Sequence, residues 1–186
     1  EENVMSAEKQ LKWLVIEPIN VSGTDIAECM NIYNHYVRET NFTLEYDPLT
    51  LDGYAARVNG VLDAGYPFVV ARTDDGSVAG FAYLSEFNPR IGYRFTADLS
   101  VYVKHDARHA GIGAALLSHI EVLATDMGLR NIISIITSEN TVSTEFHKRH
   151  GFLHEGTLRE VAVKFGRTLD VSYYRKPLTD TAGKAL

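Results

Sequence analysis

The sequence predicts a mixed α/β fold in one domain. Three observations carry that expectation: the apolar period switches between helical and strand-like along the chain, glycines stand at the ends of the periodic segments, and 186 residues suit one hydrophobic core. Apolar residues at 45% and charged residues at 23% exclude disordered and fibrous classes. A net charge of −6 argues against a surface built to neutralise phosphates, so no nucleic-acid partner is expected. No apolar run approaches the length of a membrane span. The single Cys29 cannot close an intrachain disulfide. The first twelve residues lack the apolar core of a signal peptide, and the whole reads as a soluble protein of a reducing, cytoplasmic compartment.

Leu14-Val15-Ile16 opens the order as a short strand. Thr24-Asp25 then starts a helix in which Ile26, Cys29, Met30, Tyr33 and Val37 recur at helical spacing, and Cys29 on that stripe reads as a buried structural thiol. Thr50 caps a second helix with Leu51, Tyr54, Ala55, Val58 and Leu62 on one face and Gly65 at its end. Residues 68–71 and 78–84 flank Asp74-Asp75-Gly76 as an antiparallel hairpin. Residues 96–103 make the next strand. A helix follows with Ile112, Leu116, Leu117, Ile120, Leu123, Ala124 and Met127 on one face, stopped by Gly128. Residues 131–137 are a β-branched strand, 141–150 a short helix, and 152–178 further strands broken at Gly166. The order is β-α-α-β-β-β-α-β-α-β-β, with a domain over 14–178, an N-terminal extension over 1–13 and a loose tail over 179–186.

The most informative window is Arg108-His109-Ala110-Gly111-Ile112-Gly113, an Arg-x-x-Gly-x-Gly turn between a strand and a helix. Such a turn aims free backbone N–H groups and the helix dipole at one spot, which suits a pyrophosphate, and Lys104, His105, Arg108 and His109 add charge around it. On the loop alone, a helix entered through two glycines for packing is an equal reading. A Walker loop fails at Gly113-Ala114-Ala115, and a dinucleotide fingerprint fails at Leu116 and at the late Glu139.

With further motifs the turn gains meaning. Asn140-x-x-Ser143-x-x-Phe146-His147-x-x-x-Gly151-Phe152, Ile32-Tyr33-Asn34-His35-Tyr36, Ser100-Val101-Tyr102-Val103 and Gly156-Thr157-Leu158-Arg159 stand in order around it. Together they resemble the GNAT (GCN5-related) N-acetyltransferase family, in its phosphinothricin and methionine sulfoximine acetyltransferase branch, over roughly residues 14–178. The resemblance implies an acyl-CoA N-acyltransferase fold with a central, mixed, mostly antiparallel sheet flanked by helices. It implies acetyl-CoA as co-substrate, a small amino acid or its analogue as the amine, and a homodimer, for which Tyr173-Tyr174 is the candidate contact.

Residue by residue, the resemblance places Val101, Tyr102 and Val103 along the pantetheine arm. It places Arg108, His109, Ala110, Gly111, Ile112, Gly113 and Ala114 around the pyrophosphate, and Asn140 against the cofactor. Asp98 takes the place of a glutamate general base, and its shorter side chain favours a water relay. His147 takes the place of a group near the thioester sulfur. Phe42, Arg90 and Tyr93 fall on the substrate side, where an arginine fork suits a carboxylate. The sequence departs from the branch at Phe165, where histidine is common, and at Thr168, where tryptophan is usual. An amine must lose a proton before attacking a thioester, and the thiolate must be stabilised, so a base and a second polar group agree with these roles. His35, His119, His150 and His154 read as surface or structural. No ligand-spaced His/Cys/Asp/Glu set appears, so no metal is expected. The alternatives are acetylation of proteins, peptides or polyamines, and a non-catalytic acyl-CoA-binding module in which Asp98 and His147 are structural.

Overall fold

All eleven expected elements form in the expected order in the computed structural model, which describes residues 14–107 and 111–178. They are β1 (Val15–Pro18), α1 (Asp25–Glu39), α2 (Leu51–Asp63), β2 (Phe68–Arg72), β3 (Val78–Glu86), β4 (Thr96–Val103), α3 (Ile112–Asp126), β5 (Asn131–Thr137), α4 (Thr141–Arg149), β6 (Leu153–Lys164) and β7 (Arg167–Pro177). Short 3₁₀ turns occupy Ile91–Tyr93 and His105–Ala107.

Among the described residues the strands form one seven-stranded sheet in the order β1-β2-β3-β4-β5-β7-β6. The β1–β2, β2–β3, β5–β7 and β6–β7 pairs are antiparallel and β4–β5 is parallel. A parallel pair needs a crossover between its strands, and α3 supplies it.

The described residues fall into two units: one lies within 1–33, 49–83 and 100–122, the other within 34–48, 84–99 and 123–186. In the first unit an aromatic cluster fills the core. Phe68 stacks on Tyr83 at 4.9 Å and Phe81 on Tyr102 at 5.2 Å, and Tyr33 meets Tyr102 edge-on at 5.2 Å. Gly80 makes the strand spacing possible there, because a Cβ at that position would lie 2.8 Å from the Tyr102 carbonyl. Asp25, buried at the start of α1, takes both oxygens to the Arg72 guanidinium, whose Nε reaches Glu17 at 2.7 Å. Cys29 is buried, as expected, and burial pushes its thiol pKa upward, so it is an inert core group.

In the second unit Ala97, Leu99, Ile132, Ile136, Leu129, Phe152, Leu169 and Tyr174 form the core. Several expected positions shift. On α2 the buried face is Tyr54, Val58 and Val61, while Leu51 and Leu62 are exposed, because 100° per residue carries Val61 under the same stripe and turns Leu62 outward. Met127 is 43% exposed and Leu129, beyond the Gly128 turn, replaces it in the core. Tyr174 is buried on β7, an interior strand between β5 and β6, so it is no surface contact for a second subunit. β6 is interrupted by a register shift between Leu158 and Ala162, where Glu160 takes a φ of 55° and its N–H donates to Asp170 Oδ1 at 2.8 Å.

Candidate active site

In the first unit the glycine turn enters α3 as the motif requires. Gly111 has a φ of 80°, in the left-handed region, and its carbonyl accepts from Ala115 N–H at 3.0 Å. Arg108, His109 and Ala110 lie outside the described residues. Ile112 is buried, while Gly113 and Ala114 are half-buried. Val101 and Val103 are half-buried on β4, and the Tyr102 ring is packed into the aromatic cluster. The end of β4 is anchored by Lys104 N–H donating to the Ala79 carbonyl at 2.8 Å.

In the second unit Asp98 sits mid-β4 between buried Ala97 and Leu99, on the other side of the strand. Its Oδ1 is buried and meets no hydrogen-bond partner among the described residues. Loss of hydration disfavours the charged form, and the pKa rises from 3.8 to about 6. A carboxylate left without a donor in a half-buried site is poised to take a proton.

His147 is built differently. Asn140 caps α4 through its side-chain oxygen, which accepts from Ser143 N–H at 3.1 Å. Two turns on, His147 is 6% exposed and packs edge-on against Phe152 at 4.7 Å. Its Nδ1 lies 2.8 Å from the Ser143 carbonyl. A carbonyl only accepts, so Nδ1 carries the hydrogen and Nε2 is left as an acceptor in the neutral ring. Burial lowers the His147 pKa from 6.5 to about 4, so the ring is neutral across the physiological range.

Strand register fixes which faces these two groups occupy. Asp98 pairs with Ile133, and Ile133 with Arg175, so these three side chains share one face. Ser134 pairs with Tyr174 on the opposite face, and the His147 ring lies 6.4 Å from the Tyr174 ring. Asp98 and His147 therefore stand on opposite faces of the sheet.

Arg90 and Tyr93 are exposed at the loop before β4, where Arg90 N–H donates to Asn88 Oδ1 at 3.1 Å and Tyr93 packs edge-on against Phe87 at 5.5 Å. The Arg90 guanidinium meets no partner among the described residues. Phe42 is half-buried after α1, 6.5 Å from the Tyr36 ring.

Sequence reading missed the fastening of the loop that carries Phe42. Asn41 Nδ2 donates to Glu139 Oε2 at 2.6 Å, Lys164 Nζ to the Thr43 carbonyl at 2.7 Å, and Tyr46 Oη to the Val163 carbonyl. Only the lysine before the Gly166 turn, in an otherwise outward-facing strand, offered a hint of it.

The chain thus carries a parallel β4–β5 pair, a crossover helix entered through the Gly111 turn, and Asp98 on β4. Residues 20–172 match the acetyltransferase (GNAT) domain model, and the chain belongs to that family. It is 36% identical to the phosphinothricin N-acetyltransferase of Alcaligenes faecalis, over 85% of this chain and 80% of that one. It is 34% identical to the L-methionine sulfoximine/L-methionine sulfone acetyltransferase of Pseudomonas paraeruginosa, over 84% and 91%. The solved phosphinothricin acetyltransferase of Sinorhizobium meliloti in complex with acetyl-CoA superimposes with a TM-score of 0.85, at 33% identity over 93% of each chain.

Proposed function

We propose that the chain transfers the acetyl group of acetyl-CoA to the amine of a small amino acid or analogue, of the phosphinothricin or methionine sulfoximine kind, and that residues 14–178 act as one catalytic domain. The observation that carries this reading is Asp98, a half-buried carboxylate whose buried Oδ1 meets no partner among the described residues and whose pKa is raised to about 6. On binding, acetyl-CoA supplies an activated acyl group. The amine nitrogen forms the new C–N bond, the C–S bond breaks, and the amine proton passes to Asp98 directly or through water. The sulfur leaves as a thiolate and takes its proton from solvent, and His147, neutral on the other face, is assigned to the sulfur side, where it shapes the surroundings of that group without donating the proton. The N-terminal turn of α3, from Gly111 to Ala114, together with Arg108, His109 and Ala110, holds the pyrophosphate. Val101, Tyr102 and Val103 line the pantetheine arm through their main chain, and Asn140, whose oxygen is occupied as a cap, offers its amide N–H. Arg90, Tyr93 and Phe42 form the amine side, with Arg90 taking the carboxylate.

The enzyme works in the cytoplasm as a homodimer. The exposed apolar side chains Leu153, Leu158, Val161 and Val163 on the sheet-edge strand β6 support association with a second copy. No helix among the described residues is long and apolar enough to cross a membrane, and no His/Cys/Asp/Glu group among them could hold a metal ion.

Thiol release from acetyl-CoA with methionine sulfoximine, phosphinothricin, free amino acids, polyamines and peptides tests the proposal. Turnover with the amino-acid analogues is expected. Turnover confined to peptides or polyamines, or binding of acetyl-CoA with no turnover, would overturn it.

A further inference from the structure

We propose that Lys164 is a positioning residue for the amine substrate, holding the backbone of the loop that carries Phe42. The inference rests on the reading of Phe42 as part of the amine side. Lys164 ends β6, a strand whose side chains otherwise face largely outward, yet it is only 2% exposed. Burying an ammonium is costly unless its donors are used, and this one donates to the Thr43 carbonyl at 2.7 Å. Two further features of its surroundings offset the cost: the Glu45 carboxylate, whose charge favours the ammonium, and the Phe165 ring, whose centroid lies 5.1 Å from Nζ. Thr43 and Glu45 both belong to the loop after α1, so the lysine reaches across 121 positions of sequence to grip that loop's main chain.

The grip does not stand alone. Asn41 is held by Glu139, which also receives Arg167 from the β6–β7 turn, and Tyr46 Oη donates to the Val163 carbonyl. Anchors at 41, 43 and 46 thus bracket Phe42, and Glu139 ties them to Asn140 at the start of α4. An aromatic wall held in this way presents one shape to the amine and leaves the acetyl-CoA side to other elements. A lysine with a merely structural role would lower apparent kcat through loss of folded enzyme and leave both KM values unchanged.

The test is Lys164→Met, which keeps length and apolar bulk and removes the donor. With methionine sulfoximine as amine, its KM should rise about ten-fold or more, while kcat and the KM for acetyl-CoA stay within about two-fold. Hydrogen exchange should accelerate at residues 41–46 and hold steady along β5 and β7. Lys164→Arg, which retains a donor, should recover part of the amine KM. If Lys164→Met does not fold, Tyr46→Phe removes a single exposed hydroxyl at the third anchor and should raise the amine KM in the same selective way. Unchanged exchange at 41–46, or a fall in apparent kcat with both KM values unchanged, would overturn the inference. Failure of the unmodified chain to acetylate any small amine would instead overturn the proposed function, and it is read from a separate measurement.

Discussion

At the scale of single residues, chemistry and stability pull against each other at Asp98. A carboxylate useful as a base near neutrality must sit where its charge is poorly solvated, and that environment destabilises the folded state whenever the group is ionised. Asp98→Asn should lower kcat by roughly 10²-fold or more, because the amide keeps the shape and cannot take the proton. The acidic limb of the unmodified enzyme's pH–rate profile, centred near the Asp98 pKa of about 6, should vanish with it. The same variant should melt at a higher temperature at pH 7, since an uncharged group replaces a poorly hydrated carboxylate. Full turnover in Asp98→Asn would assign the proton to another group, and a lower melting temperature would contradict the burial argument. Asp98 was offered as a candidate by the family resemblance, which sets it, within the strand over 96–103, where a glutamate base is usual. Its missing partner was not legible, because hydrogen bonding across strands depends on register and neighbours that no local pattern encodes.

At the scale of elements, helix boundaries were largely readable and the buried faces less so. Thr50 reads as a cap from its place before an apolar stripe, and its Oγ1 does accept from Gly53 N–H at 3.1 Å. The substitution of Leu129 for Met127 in the core came from tertiary packing beyond a turn, where helical periodicity no longer applies. The α3 entrance is the element most exposed to test. Gly111 holds a φ of 80°, which a β-branched residue adopts only with strain, and the turn it makes orients the first N–H groups of α3. Gly111→Val should therefore weaken acetyl-CoA binding by about ten-fold or more while circular dichroism stays unchanged, since the buried face of α3 is untouched. Calorimetry returning the unmodified affinity would remove the turn from the binding site.

At the scale of the whole molecule, His147 and Asp98 act on acid stability with opposite sign. His147 binds its proton with a pKa of about 4 in the fold against 6.5 ordinarily, so between those values the unfolded chain holds a proton that the fold does not. Acidification through that window favours unfolding. Asp98 reverses the sense: its pKa of about 6 in the fold exceeds the ordinary 3.8, the fold holds the extra proton, and acidification favours folding. The windows overlap, so in the unmodified protein the two contributions oppose each other between pH 6 and 4, and single substitutions should expose each. The stability advantage of Asp98→Asn should be larger at pH 7 than at pH 4.5, because by pH 4.5 the native aspartate is already protonated in the fold. His147→Phe should gain relative to the unmodified protein as pH falls from 7 to 4.5, because its unfolded state no longer captures a proton there. Melting temperatures of the three proteins at the two pH values decide the matter. Three parallel shifts would mean that neither ionisation is linked to folding, and would require both groups to be better solvated than their places on β4 and α4 allow.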